Sequence, residues 1–344
     1  MPMPSVLSAS VAPLTVLPYA LWTMHESEQA ALAQVFNALP LPNLRAWASQ
    51  SQRRVVVQEP PTGWAPAPLS LPHECLQAQS LGWPVVDGCL PWAAQRAAEL
   101  GLQVASMETG APAAWGFISL CNWHVSNGQV TLGHPLQLAL DDSTDLSLFN
   151  AMVPFFAEDG FTLYRDVPGR WLVHSPLLAD VPTASLERVI GRNIDPWLVG
   201  GDAPSGVAKL LRRLQNEMQM LLYTHAVNAH RTVSINSFWL HGTGALPAAP
   251  AHQSVPVNVV NHLRDSALQQ DLMAWLDAWK SVDSEVIAPL WAAVSQGQTL
   301  QLVLSGEHEH HVYDSAKPGL WQRLRGRFQP PTVDTVLAVT APKE

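Results

Sequence analysis

The chain has 344 residues, of which 47% are hydrophobic and 14% charged, and its formal net charge is −9 at pH 7. This much apolar content can offset the entropy of ordering the chain, so the composition is that of a globular protein and excludes intrinsic disorder. Binding to a phosphate backbone needs clustered Lys and Arg, so the negative charge predicts no nucleic-acid partner.

Cysteine usage and the amino-terminal stretch bear on the cellular compartment. Cys75, Cys89 and Cys121 are three in number and lack CxxC spacing, which favours reduced, buried thiols over a disulfide framework or a zinc site. Residues 1–24 are uncharged but contain several prolines and no basic n-region. We therefore expect neither export nor membrane insertion, and a cytoplasmic protein.

The first hundred residues alternate between strand and helix patterns. "APLTVLPYALW" is typical of a buried strand, and "HESEQAALAQVFNALP" has helical spacing. A second helix is expected after Pro42, then a strand in "RVVVQ" and a proline-rich loop. "HECLQAQSLGW" and "LPWAAQRAAELGL" predict two further helices, the latter with Gly101 as its C-terminal cap.

The middle of the chain predicts an α+β unit over roughly residues 111–200. The Asn127-Gly128 pair predicts a hairpin joining "CNWHV" to "QVTLG". "LSLFNAMVPFFAEDG" predicts a helix, and "FTLYRDVPGRWLVHS" predicts two strands around a Pro168-Gly169 turn.

The clearest helix is "GVAKLLRRLQNEMQMLLYTHAVN". Its apolar residues recur at steps of three and four and predict one buried face, formed by Leu211, Leu214, Met218, Leu221, Leu222 and His225. Farther on, the pattern predicts a strand in "SVPVNVVNHL", a long helix in "DLMAWLDAWKSVDSEVIAPLWAAVSQG", and a buried strand ending in charge in "TLQLVLSGEHEHHVY".

The densest group of candidate metal ligands follows that last apolar run: Glu307, His308, Glu309, His310 and His311. Ligand sites in open α/β sheets lie beyond the carboxyl ends of strands, and imidazole with carboxylate suits Zn²⁺ or Mn²⁺. The alternative is a set of exposed polar residues at a strand end, since a metal centre needs convergent ligands from several elements.

A second candidate group lies in "THAVNAHRTVSINSFWLHGTG", which we interpret as a helix end followed by a glycine-bounded turn. Its candidate ligand-binding residues are His225, Asn228, His230, Arg231, Asn236, His241, Gly242 and Gly244. Asn and His can orient a polar ligand, Arg can pair with phosphate or carboxylate, and Gly allows close backbone approach. The alternative is structural, because the same residue types cap helices and form turns.

Other motifs are uninformative about chemistry. The chain has no GxSxG, Walker or GxGxxG motif, so no catalytic residue can be assigned. The basic run at Arg323, Arg325 and Arg327 is open to interpretation as a solvated helix end, an interdomain contact or a weak anion site.

Several motifs in the same order carry a family resemblance: "FFAEDGFTLYRDVPGRWLV", "IGRNIDPWL", "NEMQMLLYTHAVN" and "INSFWLHGTG". Together they resemble the proteobacterial regulatory proteins of RpfE type. That family is similar to the archaeal-type cofactor-independent phosphoglycerate mutases, which have a His-x-Val-Asn stretch, an Asn, a Gly-x-Gly and a strand ending in Asp-His. The matching residues here are His225, Val227, Asn228, Asn236, Gly242, Gly244, Glu307 and His308.

The resemblance implies an alkaline-phosphatase-like α/β fold, with a core sheet flanked by helices and an inserted α+β subdomain. Residues 1–110 and 245–330 would form the discontinuous core. Residues 111–244 would form the insertion, with the long helix and the turn from Asn236 to Gly244.

Departures from the mutase pattern bear on activity. Mutase chemistry passes a phosphoryl group through a Ser or Thr beside two divalent metals, and the first strand supplies an Asp ligand at its end. Here "LTVLPYALWTMHE" has no Asp, and Thr23 is only a nominal nucleophile. "NHLRDSALQQD" keeps Asp265 without a His four residues later, Glu307 replaces Asp, and His241 stands where Arg precedes the Gly-x-Gly.

These departures predict a cytoplasmic, non-catalytic protein without a cofactor, which binds a small phosphorylated or carboxylate ligand or a protein partner in a regulatory role. The alternative is a metal-dependent phosphoglycerate mutase or phosphohydrolase with a rearranged site. That enzyme would hold Mn²⁺ or Zn²⁺ with Glu307, His308, His310 and Asp265. A third interpretation is a purely structural interaction protein that uses exposed tryptophans.

Overall fold

The described part of the chain, in a computed structural model, comprises residues 13–58, 67–102, 113–126, 128–201, 204, 206–248, 256–315 and 332–340. Up to residue 102 the elements are β1 (Leu14–Leu17), β2 (Trp22–Met24), α1 (Gln29–Asn37), α2 (Pro42–Gln50), β3 (Gln52–Val57), α3 (Pro72–Ser80) and α4 (Trp92–Glu99).

The middle elements are β4 (Ala114–Cys121), β5 (Trp123–Ser126), β6 (Gln129–Leu132), α5 (Asp142–Glu158), β7 (Thr162–Val167), β8 (Arg170–His174), α6 (Leu186–Val189), α7 (Gly206–Thr224) and β9 (Ser237–Ala245). The last are β10 (Val257–Val259), α8 (Arg264–Leu268), α9 (Leu272–Ser281), α10 (Ala288–Ser295), β11 (Gln301–Ser305), β12 (Glu309–Asp314), α11 (Asp334–Leu337) and β13 (Ala338–Thr340). A π-helical segment, Val282–Ile287, joins α9 to α10.

The chain divides into two compact units. The first, the four-stranded unit, contains the described residues within Glu59–Leu71 and Trp83–Ala251. The second, the five-stranded unit, contains the described residues within Met3–Gln58, Pro72–Gly82 and His252–Glu344. The structure is mixed α/β with multi-strand sheets flanked by helices, as the predicted fold class requires. The predicted boundaries at residues 110 and 245 stay a prediction.

The five-stranded unit is built on a sheet with the order β10-β1-β11-β12-β3. Strands β10, β1 and β11 are parallel, and β12 and β3 run antiparallel to their neighbours. Leu76 of α3 packs with Val16, Val303 and Val312 on one face of this sheet. The apolar run of β1 therefore lies inside the sheet, between β10 and β11, and is buried, as its sequence predicts.

The buried strand predicted in "TLQLVLSGEHEHHVY" is confirmed over Gln301–Ser305, but the residues after it form a second strand that the pattern did not predict. The chain turns after Ser305 and returns as β12, which pairs antiparallel with β11. The Gly306 N–H donates to the Glu309 carbonyl at 2.8 Å and closes this turn. The charged residues that follow β11 begin in the connection of a hairpin and continue into β12.

The four-stranded unit contains an antiparallel sheet with the order β7-β8-β4-β9. Helices α5 and α7 cover one face through residues such as Met152, Leu214 and Met218. The alanines of α4 pack on the other face against Trp115, Phe117 and Leu172. All eight residues of β4 are buried because both of its faces are covered.

Most local predictions in this unit are confirmed. Helices α5 and α7, the β7–β8 hairpin and the β5–β6 hairpin lie where the patterns place them. Gly101, Gly128 and Gly169 have positive φ of 72°, 77° and 83°, as their cap and turn positions require. Asn127 lies outside the described residues.

The cysteines are free thiols. Cys75 and Cys121 are buried, which confirms the prediction for them, whereas Cys89 is partly exposed. Burial raises the pKa of the Cys89 thiol to about 11, with further contributions from Asp180 and Asp87, so at neutral pH this thiol is protonated and a poor nucleophile.

Candidate functional site

The loop between α7 and β9 carries the first candidate group, in the four-stranded unit. The prediction that His225 shares the apolar face of α7 is wrong, because the helix ends at Thr224. Its Nδ1 instead accepts a hydrogen bond from the Val227 backbone at 3.3 Å and caps the short 3-10 turn that follows. His225 is thus an N-cap residue in this fold.

Asn228 is bonded on both sides of its amide. Its Nδ2 donates to the carbonyls of Leu222 and Ile235, both at 2.8 Å. Its Oδ1 accepts from the Ile235 N–H, also at 2.8 Å. The side chain therefore pairs with Ile235 as a neighbouring strand would, and joins the end of α7 to the start of β9.

Asn236 forms a second clamp of the same kind. Its Oδ1 accepts from the Trp123 N–H at 2.7 Å and its Nδ2 donates to the Trp123 carbonyl at 2.9 Å. Arg231 donates from Nε to the Val233 carbonyl at 3.2 Å, and His230 is exposed in the intervening turn. Asn228 and Asn236 thus use their hydrogen-bonding groups to hold the loop itself.

The predicted glycine-bounded turn in "NSFWLHGTG" is wrong. From Ser237 on, these residues belong to β9, which pairs antiparallel with β4. Between the pairs Phe117 with His241 and Trp115 with Gly244, the register shifts by one residue. Gly242 has φ of +63° at this point, so the glycine supports a β-bulge within a strand and not a turn between strands.

His241 and Ser119 form a hydrogen-bonded pair on the α4-covered face of this sheet. The Ser119 Oγ and His241 Nε2 lie 2.9 Å apart. Ser119 is buried and His241 partly buried. Burial, together with the positive charge of Arg170 and against the opposing charge of Glu187, lowers the pKa of His241 to about 3. The imidazole is neutral at physiological pH.

Arg170 adds a cation to this face. Its Nε and Nη2 donate to Asp166 Oδ2 at 2.9 and 2.6 Å, and its guanidinium lies 5.0 Å from the centre of the Phe117 ring. Arg96 contacts the other carboxylate oxygen of Asp166 at 2.8 Å. Both guanidinium groups lower the pKa of Asp166 against the opposing effect of its burial.

Sequence patterns missed Ser119 and Arg170 as site residues. Ser119 is the register partner of Arg170 across β4 and β8, and of Trp239 across β4 and β9. Strand alternation signals only that each residue points to one of two faces. The pairing of β8, β4 and β9, which sequence spacing does not determine, places Ser119 and Arg170 on the same face of the sheet as His241.

The second candidate group lies in the five-stranded unit. Glu307 and His308 occupy the turn between β11 and β12, with His308 Nε2 3.8 Å from Glu307 Oε2. Asp265 lies on α8, where its exposed carboxylate pairs with Arg264 at 2.8 Å. Within the described ranges, no three His, Cys, Asp or Glu side chains form a group that could hold a metal ion.

His310 and His311 are not exposed polar residues at a strand end. Both lie on β12 and are buried, at 2% and 3% exposure. His311 Nε2 contacts Glu309 Oε1 at 2.7 Å, and this contact lowers the Glu309 pKa. Neither ring nitrogen of His310 has a hydrogen-bond partner in the described structure, and burial lowers the pKa of this imidazole to about 4.

The residues at the end of β1 do not fit the two-metal centre that the mutase resemblance implies. The chain continues from Leu17 into Pro18, Tyr19 and Ala20, all of them buried. The Tyr19 carbonyl accepts from Trp275 Nε1 at 2.8 Å and the Tyr19 ring contacts His73. An apolar, internally bonded corner stands where a carboxylate ligand would be required.

Three further sequence predictions concern Thr23, the basic run near the carboxyl terminus, and membrane insertion. Thr23, the nominal nucleophile, lies on β2 and pairs with Val339 of β13. Arg323, Arg325 and Arg327 lie outside the described residues. No described helix combines the length and apolar character needed to cross a bilayer.

Comparisons with known proteins give low similarity. A cofactor-independent phosphoglycerate mutase from Thermoplasma acidophilum aligns over 90% of this chain and 91% of its own, at 14% identity and a TM-score of 0.37. A protein from Pyrococcus horikoshii aligns over 91% of this chain and 92% of its own, at 12% identity and a TM-score of 0.41. No protein-family model and no curated protein matches the chain. Neither structural similarity bears on activity, substrate or partner.

Proposed function

We propose that this chain is a phosphoglycerate-mutase-like protein that does not transfer phosphoryl groups and acts by binding, either to a small anionic ligand or to a protein partner. A regulatory role of RpfE type is part of this proposal and rests on the sequence motifs. No metal or organic cofactor takes part.

The corner after β1 is the observation that carries the proposal. Phosphoryl transfer with two metals needs carboxylates that converge on both ions. Tyr19 is 6% exposed there, and its carbonyl is bonded to Trp275. A carboxylate at this corner would be buried among apolar groups, which is costly unless a cation pairs with it. This geometry supports binding without catalysis.

Elemental analysis and activity assays on the intact protein test the proposal. Protein purified without chelator is analysed for metal, and mutase and phosphatase activities are measured with added Mn²⁺ or Zn²⁺. We expect no stoichiometric metal and no turnover above a chelator-treated control. Two ions per chain together with turnover that the chelator abolishes would overturn the proposal.

A second candidate function is a metal-dependent mutase or phosphohydrolase that uses Glu307, His308, His310 and Asp265. The proximity of Glu307 to His308, at 3.8 Å, favours it, as does the buried imidazole of His310 without a hydrogen-bond partner in the described structure. Its signature would be a Zn²⁺- or Mn²⁺-dependent rise in melting temperature that His308→Ala removes. A metal titration that leaves the melting temperature unchanged would reject it.

A further inference from the structure

Three strands bring a polar cluster together on the α4-covered face of the four-stranded sheet. Ser119 of β4 lies opposite Arg170 of β8, and its hydroxyl is 2.9 Å from the His241 imidazole of β9. Residues directly opposite in antiparallel strands point to the same face. We name these three residues, Ser119, Arg170 and His241, the Arg170 site.

The guanidinium of Arg170 is held in one orientation. Asp166 accepts from two of its nitrogens, and the Phe117 ring stacks near it at 5.0 Å. The Asp166 side chain is fully buried and is bonded in turn by Arg96. Because this support is already formed, little rotamer entropy remains to be lost when a ligand binds.

One nitrogen of the Arg170 guanidinium is not used by Asp166 and could donate to a ligand. The remaining amino nitrogen, Nη1, makes no hydrogen bond within the described part of the chain, and the Arg170 side chain is 40% exposed. Asp166 neutralises one positive charge while two guanidinium groups share it. Glu99 partly offsets the second, at Arg96, from an exposed position. The Glu187 carboxylate also acts on His241, so what Arg170 offers a ligand is a partly exposed guanidinium nitrogen that its carboxylate partner does not use.

We propose that the Arg170 site binds a small anion through phosphate or carboxylate oxygens, with Arg170 as the charged donor and the Ser119–His241 pair as neutral hydrogen-bonding groups. Planar guanidinium groups match the geometry of such oxygens. A neutral imidazole with a hydroxyl can supply a donor to the same anion in either tautomer. This inference rests on the proposed function, since it names the ligand class and the place where that ligand binds.

The site differs from the one that sequence motifs favoured. Of the predicted ligand-binding residues, Asn228 and Asn236 are committed to backbone partners. His241 is the member that bonds Ser119 and, like Arg170, contacts the Phe117 ring, and the two residues that complete the site come from β4 and β8.

Binding of inorganic phosphate and of acetate tests the proposal, with sodium chloride at matched ionic strength as the reference. Melting temperatures are measured for the wild type, Arg170→Lys, and the control Arg213→Lys, whose arginine is an exposed partner of Asp159. We expect phosphate or acetate to stabilise the wild type and the control equally. Arg170→Lys keeps the charge but loses the planar fork, so its dissociation constant should rise about tenfold.

Imidazole NMR spectra of the wild type provide a readout that does not depend on the folding of a variant. The His241 signal, identified by its absence in His241→Gln, should shift on addition of phosphate and its pKa should rise, because an anion beside Arg170 offsets the guanidinium charge. Stronger effects of phosphate than of acetate would assign phosphate as the ligand group, and the reverse would assign carboxylate.

Two results would overturn the Arg170 site. One is a wild-type melting temperature and His241 signal that respond to phosphate and acetate no more than to chloride. The other is an Arg170→Lys variant that binds as tightly as the wild type. Either result leaves the non-catalytic function standing, which only metal-dependent turnover overturns, so the two failures are distinguishable.

Discussion

Replacement of Asp145 should destabilise the four-stranded unit strongly. This carboxylate of α5 is fully buried. Its Oδ1 accepts from the Gly169 N–H at 2.7 Å and from Trp171 Nε1 at 2.8 Å, and its Oδ2 accepts from Arg165 Nε at 2.8 Å. It therefore joins the first turn of α5 to both strands and the turn of the β7–β8 hairpin.

The magnitude follows from the groups that the substitution leaves without an acceptor. In Asp145→Ala, two shielded donors, Gly169 N–H and Trp171 Nε1–H, lose their acceptor at about 1–3 kcal/mol each. Arg165 keeps Asp142 and partial contact with water. We therefore expect a loss of about 3–5 kcal/mol, in the range for breaking a buried ion pair. Asp145→Asn should lose less, because its carbonyl oxygen can still accept both N–H groups.

Asp142→Asn is the matched control, because Asp142 lies on the same helix and contacts the same arginine from an exposed position. We expect it to lose about 1 kcal/mol or less. Hydrogen exchange followed by mass spectrometry, read on peptides covering β7 and β8, measures the local opening free energy of this unit. An Asp145→Ala variant within about 1 kcal/mol of the control would refute the reasoning.

Three other predictions concern the caps, the loop clamp and pH. Asp283 is 2% exposed and accepts hydrogen bonds from the first backbone N–H groups of α2 at 2.7 and 3.2 Å. Asp283→Ala should therefore lower the free energy of unfolding of the five-stranded unit, measured by urea denaturation, by about 2–3 kcal/mol. The control is Asp277→Ala at an exposed position, and an equal effect of the two variants would contradict the capping role. Asn236→Ala should lower the free energy of unfolding by about 1–3 kcal/mol, because it leaves the backbone N–H and C=O of Trp123 without their partner. The Trp123 amide should exchange faster with solvent, while anion binding at the Arg170 site persists. Unchanged exchange of this amide would count against the role of Asn236 in holding the loop. The folded-state pKa of His241 is lowered to about 3, below the unfolded value of about 6.5, so its contribution to stability is fully present above a pH of about 6.5 and is lost as the pH falls from there toward 3. His241→Gln should therefore lose less stability than the wild type when urea denaturation is compared at pH 7 and pH 4. Parallel losses of stability in the two proteins would refute this.

Sequence patterns located elements well where local chemistry decides them. The spacing of Leu211, Leu214 and Met218 predicts a buried helix face, and these residues are buried on α7. Pro168-Gly169 predicts the β7–β8 turn because φ must become positive there, and Gly169 has φ of +83°. Such features depend on near neighbours in the chain.

Predictions were wrong where the same local sequence is compatible with two different structures. Gly242 and Gly244 are typical of a turn, but strand pairing with β4 places them in a bulged strand. His310 and His311 are typical of an exposed strand end, but β12 returns between β11 and β3 and both are buried. Pairing with distant strands decided each case.

Composition and local spacing alone determined that this chain is globular and mixed α/β, which segments form its helices and hairpins, and that its first strand ends without a carboxylate. Only the tertiary structure decided that Asn228 and Asn236 bind backbone within the fold, that Ser119 bonds His241, and that Arg170 lies opposite Ser119 on the same sheet face. The physical reason is that hydrogen-bonding capacity belongs to a residue type, whereas the partner that uses it is set by strand register and packing between residues far apart in the chain.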